Sequence, residues 1–478
     1  MNAINPNEIE FSSLSNEDDV GRVFFWKNRV FRAIYKEKVE HVSHLFTSGL
    51  INALIEENVF VHSEITEFTL DGFGLVIEHQ LAEVVTYPHE WSFSMLKNAA
   101  NAALKLNIIA STYGYQTKDI HPYNILFFGV TPKYIDLGSF TAITKQHSQH
   151  LYAFEEFSKC YTFPLKIWAR GDTYTARRFI QRWKFMPSVD AYIAYRLGGR
   201  LGLLRGIIFK CWKTLYQLQK IPHVLANPDV ALRYQKYRNL FEFLTTLKLP
   251  LTLSNMAKLL ENVKNYALPT VSSTWGNYQA TLYLPNDAVS LSERLQKIHD
   301  AIKALNPDTV TDLAGNQGVL SQAILESGAA RRVMCVDYDD EAIEQGYLRI
   351  LKSGINKINI HFAVINPFYP EVNKFESPPE SRFKSDMVLA LALTHHLILT
   401  QGYNLNYIFS VIKSYSNNYV AIEFMPLGLF DSVTKEGNPP PEWYTEAWFK
   451  AEFENHFSII EIINLEINRV IFIGKKLA

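Results

Sequence analysis

Val310-Thr311-Asp312-Leu313-Ala314-Gly315-Asn316-Gln317-Gly318, followed by Val333-Met334-Cys335-Val336-Asp337, is the stretch that decides the fold. An apolar strand ends at an acidic residue, a turn of small residues follows, and a helix opens at Gly318. Nineteen positions after Gly318 a second apolar strand ends at Asp337. This is the logic of a nucleotide-binding βαβ unit. Small residues let the backbone approach a ligand, and a carboxylate about 20 residues on accepts ribose hydroxyls. The dinucleotide fingerprint GxGxxG is absent, so no helix start here is shaped for a pyrophosphate.

Outward from that unit the pattern continues as strands alternating with helices. An amphipathic helix, 291–305, leads to the first strand, and further strands are expected at 357–364, 386–393 and 419–424, with a closing hairpin at 457–465 and 469–473. Asp386-Met387-Val388-Leu389-Ala390-Leu391-Ala392-Leu393 is nearly all apolar, as a strand buried on both faces of a parallel sheet must be. It runs into Thr394-His395-His396. Ligands of doubly wound sheets sit outside the carboxyl ends of the strands, which places both histidines beside a reacting centre. A neutral imidazole can take a proton from a hydroxyl; the alternative is that one histidine caps the next helix or fills the pocket wall. Glu423, at the end of the fifth strand, faces the same crevice, to orient a histidine or the acceptor, or to pair with a basic neighbour. No HxxxH spacing and no third ligand accompany the histidines, so no metal is assigned.

The 312–318 turn resembles motif I, (D/E)xGxGxG, of the class I methyltransferases that bind S-adenosyl-L-methionine. Ala314 and Asn316 replace the first two glycines, and Asn tolerates the left-handed backbone such a turn needs. The resemblance implies a C-terminal α/β domain, 291–478, with a Rossmann-like, seven-stranded, mostly parallel sheet. It also implies a cofactor cradle of Asp312, Ala314, Gly315, Asn316 and Gly318, with Asp337 and Tyr338 at the ribose, Asn366 at the adenine, and Leu393 lining the site. His395, His396 and Glu423 are the catalytic candidates.

The N-terminal part carries a second pattern. Residues 1–19 read as a flexible, acidic N-terminus, and Gly21 to Ile34 as a hairpin turning at Lys27-Asn28. A helix over 41–57, two strand-like runs and a long helix from Ser92 follow. Then come Lys118-Asp119-Ile120-His121-Pro122-Tyr123-Asn124 and Ile135-Asp136-Leu137-Gly138. These resemble the catalytic loop and metal-binding triplet of protein kinases, in which one Asp orients the attacking hydroxyl while an Asn and a second Asp hold magnesium against phosphates. The match makes 20–150 a kinase-like α+β region, with Asp119 as base, Asn124 and Asp136 as metal ligands, and ATP with magnesium as the ligands implied. There is no glycine-rich loop, and Arg32-Ala33-Ile34-Tyr35-Lys36 is the nearest approach to the strand lysine motif. A degenerate scaffold is therefore favoured over an active phosphotransferase.

Pro88-His89-Glu90-Trp91-Ser92-Phe93, the Asp119–Asn124 loop, Ile135-Asp136-Leu137-Gly138-Ser139-Phe140 and Trp275-Gly276-Asn277-Tyr278, together with the 312–318 turn, resemble the family of the nodulation protein NoeA. That resemblance spans about residues 20–475. It implies methyl transfer, with a sugar, glycan or related small molecule as acceptor. The rival expectations are a bifunctional kinase and methyltransferase acting on a polysaccharide end, and a non-catalytic adaptor in which both domains only bind partners.

Composition narrows the rest. A chain of 478 residues exceeds one core, and a formal net charge of −1 gives no global field toward nucleic acid. Cys160, Cys211 and Cys335 sit in apolar runs without metal spacing, as buried reduced thiols do in a cytoplasmic protein. No stretch of about 20 uncharged apolar residues is present to span a membrane. Residues 151–268 read as a helical region. Within it, 193–218 is a basic amphipathic segment, expected as a core helix with snorkelling arginines and otherwise as a peripheral membrane contact. Residues 269–290 form a linker bearing Trp275, Tyr278 and Tyr283.

Overall fold

A computed structural model describes residues 2–143 except 17, 156–182, 253–269, and 289–477 except 354–358, 374–375 and 431–436, together with 236 and 282. The basic segment 193–218, Cys211 and the linker aromatics Trp275, Tyr278 and Tyr283 lie outside the described residues. The chain divides into two units, one of Met1–Leu81, Leu96–Ile125 and Lys133–Val271, the other of Ala82–Met95, Leu126–Pro132 and Ser272–Ala478. The expected contiguous region 20–150 is thus split: 82–95 and 126–132 belong with the C-terminal unit. Nor do the described residues of 151–268 form a unit of their own.

The first unit holds a five-stranded sheet of β1 (Glu10–Phe11), β2 (Gly21–Trp26), β3 (Arg29–Ile34), β4 (Ser63–Ile65) and β5 (Leu75–His79), ordered β1-β2-β3-β5-β4. Every neighbouring pair is antiparallel. Lys27 and Asn28 both take positive φ, 50° and 58°, the turn whose twist matches a tight hairpin. The expected helix over 41–57 is broken in two, α1 (Val39–Thr47) and α2 (Leu50–Glu56), because Gly49 adopts φ 84° between them. Described residues of the stretch expected as a flexible N-terminus pack against the sheet. Apolar side chains explain the difference: Ile4 joins the core of Phe24, Phe31 and Val76, and Phe11 meets Phe24 edge-on at 5.9 Å. The helix expected from Ser92 is α3 (Phe93–Thr112).

In the second unit, α4 (Glu293–Leu305) opens at a Ser292 cap whose hydroxyl accepts the Leu295 N–H, and ends at Asn306 in the left-handed region. It leads to β6 (Thr309–Asp312), α5 (Val319–Glu326), β7 (Arg332–Asp337), α6 (Asp340–Lys352) and β8 (Ile360–Val364). Then follow β9 (Ser385–Ala390), α7 (Thr394–Leu399), α8 (Leu405–Tyr415), β10 (Ser416–Phe424), α9 (Glu446–His456), β11 (Phe457–Glu466) and β12 (Arg469–Lys476). The seven strands are ordered β8-β7-β6-β9-β10-β12-β11. The first five run parallel and β12 is antiparallel to β10. Side chains alternate between two cores. Val310, Val333, Met387, Leu389 and Ala421 pack against α4 and α5; Met334, Val336, Val388, Val420 and Ile422 pack against α8 and α9. Burial on both faces is why these strands read as unbroken apolar runs.

The two early segments join this unit through buried polar groups. Glu344 on α6 accepts the Ser92 hydroxyl at 2.7 Å and the Ser94 N–H at 2.9 Å, and also the Ser94 hydroxyl. Arg382 donates to both oxygens of Glu90, at 2.5 and 2.9 Å, and its guanidinium lies 4.4 Å from the Tyr87 ring centre. Val84 sits in the core of α8 and β10. With Glu90 almost wholly buried, removing its cation strands a charge. Arg382→Ala should therefore destabilise the second unit by about 3–5 kcal/mol, read as lost hydrogen-exchange protection in the peptides of β9 and β10. Unchanged protection would show that the pair holds nothing.

Candidate functional site

The turn after β6 is shaped by its neighbours. Asn316 takes φ 52° and Gly318 φ 76°, so Asn316 makes the left-handed turn expected of it. Gly315 has no room for a side chain: a Cβ there would lie 2.6 Å from the Cys335 sulfur and 3.0 Å from the Asp312 carboxyl carbon. The Gly315 N–H bonds the Val336 carbonyl at 3.0 Å, which draws the turn against the end of β7. Asp337 fastens it there. One carboxylate oxygen accepts the Asn316 N–H at 2.8 Å, and the other accepts the Asp339 N–H at 2.9 Å. Ala314 is half-buried, while Tyr338 and Asn366 are exposed at the ends of β7 and β8. The Asn366 side-chain oxygen turns back onto the Phe368 N–H at 3.0 Å.

Two buried carboxyls therefore bracket the turn. Burial pushes the Asp312 carboxyl up to about 7 and that of Asp337 up to about 6. Ser321 donates to Asp312 at 3.3 Å, yet the other oxygen of Asp312 meets no hydrogen-bond partner among the described residues. A buried acceptor of this kind, beside a backbone cradle that excludes any Cβ, fits a ligand with donors and positive charge.

Strand β9 stops three residues earlier than expected, at Ala390, and Leu393 becomes the residue before α7. His395 and His396 thus lie in the first turn of α7 rather than at a strand end. The stop has a cause: Ala392 takes φ 49°, a conformation that costs an L-residue about 1–2 kcal/mol. Its N–H is held at 2.7 Å by Glu423. The His395 and His396 ring centres are 4.1 Å apart, and the buried His395 Nδ1 meets no partner among the described residues. Burial, with His396 alongside, holds His395 down to about 3; burial lowers His396 as well. Both imidazoles are neutral at working pH.

Of the two roles expected for Glu423, the pairing with basic neighbours is the one its contacts display. Its carboxylate accepts Arg294 on each oxygen at 2.8 Å, Arg469 at 2.9 Å and the Ala392 N–H. Three of these bonds converge on Oε2 and one falls on Oε1, so the group is held in an ion-pair cluster. Although burial opposes its charge, the two arginines hold the carboxyl below its ordinary value. Arg294, Arg469 and Ala392 were not legible as site residues; the one signal was an acidic residue inside an otherwise apolar strand.

In the first unit, Asp119 is exposed, and Asn124 and Asp136 are half-buried. The Tyr134 hydroxyl joins two of them, donating to the Asp119 carbonyl at 2.6 Å and accepting from the Asn124 side-chain amide at 3.4 Å. The Asp119 N–H bonds the Ser139 hydroxyl at 3.0 Å, and Glu156 accepts the Ile120 N–H at 2.7 Å. The cation on β3 is Arg32, which reaches Asp136 at 3.2 Å. Lys36, the lysine of the stretch nearest the strand motif, lies beyond the end of the strand.

No protein-family model matches the chain. The nodulation protein NoeA of Rhizobium meliloti is 25% identical over 427 residues, covering 86% of this chain and 84% of that protein. Among solved structures, magnesium protoporphyrin IX methyltransferase from Synechocystis is 14% identical with a TM-score of 0.29, covering 44% of this chain and 87% of that one. The N-methyltransferase NodS from Bradyrhizobium japonicum is 8% identical with a TM-score of 0.28, covering 39% and 97%. The strand order, rather than these scores, defines the fold.

The buried carboxyls predict a pH signature. The native Asp312 carboxyl titrates near 7, above its ordinary 3.8, so folding favours its protonated form. The ligand-free protein loses this contribution as pH rises from about 4 through 7. Asp312→Asn should raise the melting midpoint at pH 8 and leave it unchanged at pH 4; a gain independent of pH would contradict the assignment. The second unit has a seven-stranded, mostly parallel α/β sheet whose penultimate-position strand runs antiparallel, and the chain is similar to NoeA over most of its length.

Proposed function

We propose that the second unit transfers a methyl group from S-adenosyl-L-methionine to a hydroxyl of a sugar, glycan or related small molecule. The observation that carries this reading is the pair of buried carboxyls, Asp312 and Asp337, closed around the Gly315–Asn316 turn at the carboxyl edge of the sheet. Asp337 keeps lone pairs for the ribose hydroxyls, with Tyr338 and Asn366 on the adenine side. The Asp312–Gly318 backbone faces the methionine portion. When bound, the cofactor supplies a methyl group on a positively charged sulfur, open to in-line attack. Leu393 and the strained Ala392 set the wall beside it. His395 offers a neutral Nδ1 to accept a hydrogen bond from the acceptor hydroxyl and orient it. His396, less buried, takes the proton. The glycan class of acceptor rests on the resemblance to the nodulation protein.

A second reading concerns the first unit: a kinase-like scaffold, supported by the strand order β1-β2-β3-β5-β4 with two helices between β3 and β4, and by the strand cation Arg32 on Asp136.

Titration calorimetry with S-adenosylhomocysteine on the full chain tests the first reading. Micromolar binding is expected, lost in Asp337→Ala, whereas binding in His395→Ala and His396→Ala should be unchanged. With an acceptor in hand, those histidine variants should lose about 10²–10⁴ in kcat. A folded wild-type protein that does not bind would overturn the assignment.

A further inference from the structure

The residues between β1 and β2, 12–20, stand in the first unit where a kinase-like fold places its phosphate-covering loop. This segment has no glycine; it carries Asp18 and Asp19 instead. The Asp18 carboxylate is folded inward onto a cation, and that of Asp19 pairs with lysines at the surface. Asp18 bonds Nη1 of Arg32 and accepts the Val20 N–H at 2.9 Å. Arg32 and Asp18 are lodged against Gly138, where a Cβ would lie 2.8 Å from a guanidinium nitrogen and 2.8 Å from an Asp18 oxygen. Asp19 reaches Lys118, beside Asp119, at 2.9 Å, and Lys38 at 3.4 Å. Two anionic groups therefore bridge the strand cation and the loop cation.

The remaining polar atoms are arranged for a ligand. Arg32 is 94% buried by its 6% exposure, and its Nε meets no partner among the described residues. The Asp119 carboxylate, the Asn124 side-chain oxygen and the second oxygen of Asp136 also make no hydrogen bond there. Oxygen donors this sparse suit magnesium only when phosphate oxygens complete its shell. A phosphate chain needs the same two cations that Asp18 and Asp19 now neutralise.

We propose that Arg32 and Lys118 form an anion site for the phosphates of a nucleoside triphosphate, and that Asp18 and Asp19 fill this site in cis. Phosphates bind by displacing the acidic pair, so the segment acts as an internal gate. The nucleoside part of the proposal rests on the kinase-like reading; the anion site rests on the ion pairs alone.

Calorimetry on the full chain, with magnesium ATP and separately with tripolyphosphate, compares wild type with Asp18→Asn/Asp19→Asn. The double variant should bind ATP at least about tenfold more tightly, and Arg32→Ala added to it should abolish the gain. A gain for tripolyphosphate but not for ATP keeps the anion gate and overturns the nucleoside assignment. Equal affinities in wild type and variant, or no binding by a variant that still binds S-adenosylhomocysteine, overturn the gate. Should the double variant fail to fold, Asp19→Asn alone removes the exposed carboxylate and should give a smaller gain of the same sign; no gain would count against the gate.

Discussion

The edge of the second unit where the chemistry is placed depends on one buried carboxylate. Glu423 lies inside a parallel sheet, where an unpaired charge would be costly, and it is tolerated because two arginines and a backbone N–H surround it. Each partner comes from a different part of the chain: Arg294 from the first turn of α4, Arg469 from the start of β12, and Ala392 from the break after β9. One residue thereby ties the entry helix, the antiparallel last strand and the turn before α7. The neighbouring Glu423 carbonyl also accepts the Thr394 hydroxyl at 2.7 Å, which fixes the start of α7 and the two histidines that follow. The left-handed Ala392 is sustained by the same bonds, as strained backbone at a functional edge must be.

Much of this unit was legible because its strands are buried on both faces. Strand β7 spans Arg332–Asp337 as expected, and the alternation of strands and helices closed by a hairpin is the one observed. The turn at Asn316 was legible too, since few residues besides Gly and Asn enter the left-handed region readily. The end of β9 was not. Leu391-Ala392-Leu393 is as apolar as the strand before it, and the break comes from a hydrogen bond to Glu423, a residue 31 positions away. Hydrophobic pattern carries no record of such a long-range polar contact. Glu423 itself was visible as a site residue, but its role was decided by Arg294 and Arg469, which no local motif marks.

The first unit shows the same limit from the other side. An acidic, polar N-terminus reads as solvated chain, and Asp18 and Asp19 have no partners nearby in sequence. Their partners, Arg32 and Lys118, are brought to them by the sheet and by the loop after Thr117. Ile4, Ile9 and Phe11, isolated apolar residues in a polar run, were the local sign that this segment packs. The sequence offers a lysine at position 36, whereas the fold presents the cation of Arg32, four residues earlier and on the strand proper. Chemistry at this site is conveyed by which charges converge, and convergence is a property of the sheet order.

The cofactor edge raises a question of balance that its own geometry answers. Asp312 and Asp337 are both buried and both pushed toward neutrality, so the ligand-free turn carries two carboxyls in an environment that disfavours their charge. Replacing Asp312 by an apolar residue would relieve that penalty, whereas replacing Asp337 would also remove the acceptor that fastens the turn. Asp337 offsets part of that cost through the two N–H donors it accepts, Asn316 and Asp339, whereas one oxygen of Asp312 has no partner among the described residues. A group that brought donors or positive charge to that oxygen would stabilise the folded unit by returning part of this cost on binding.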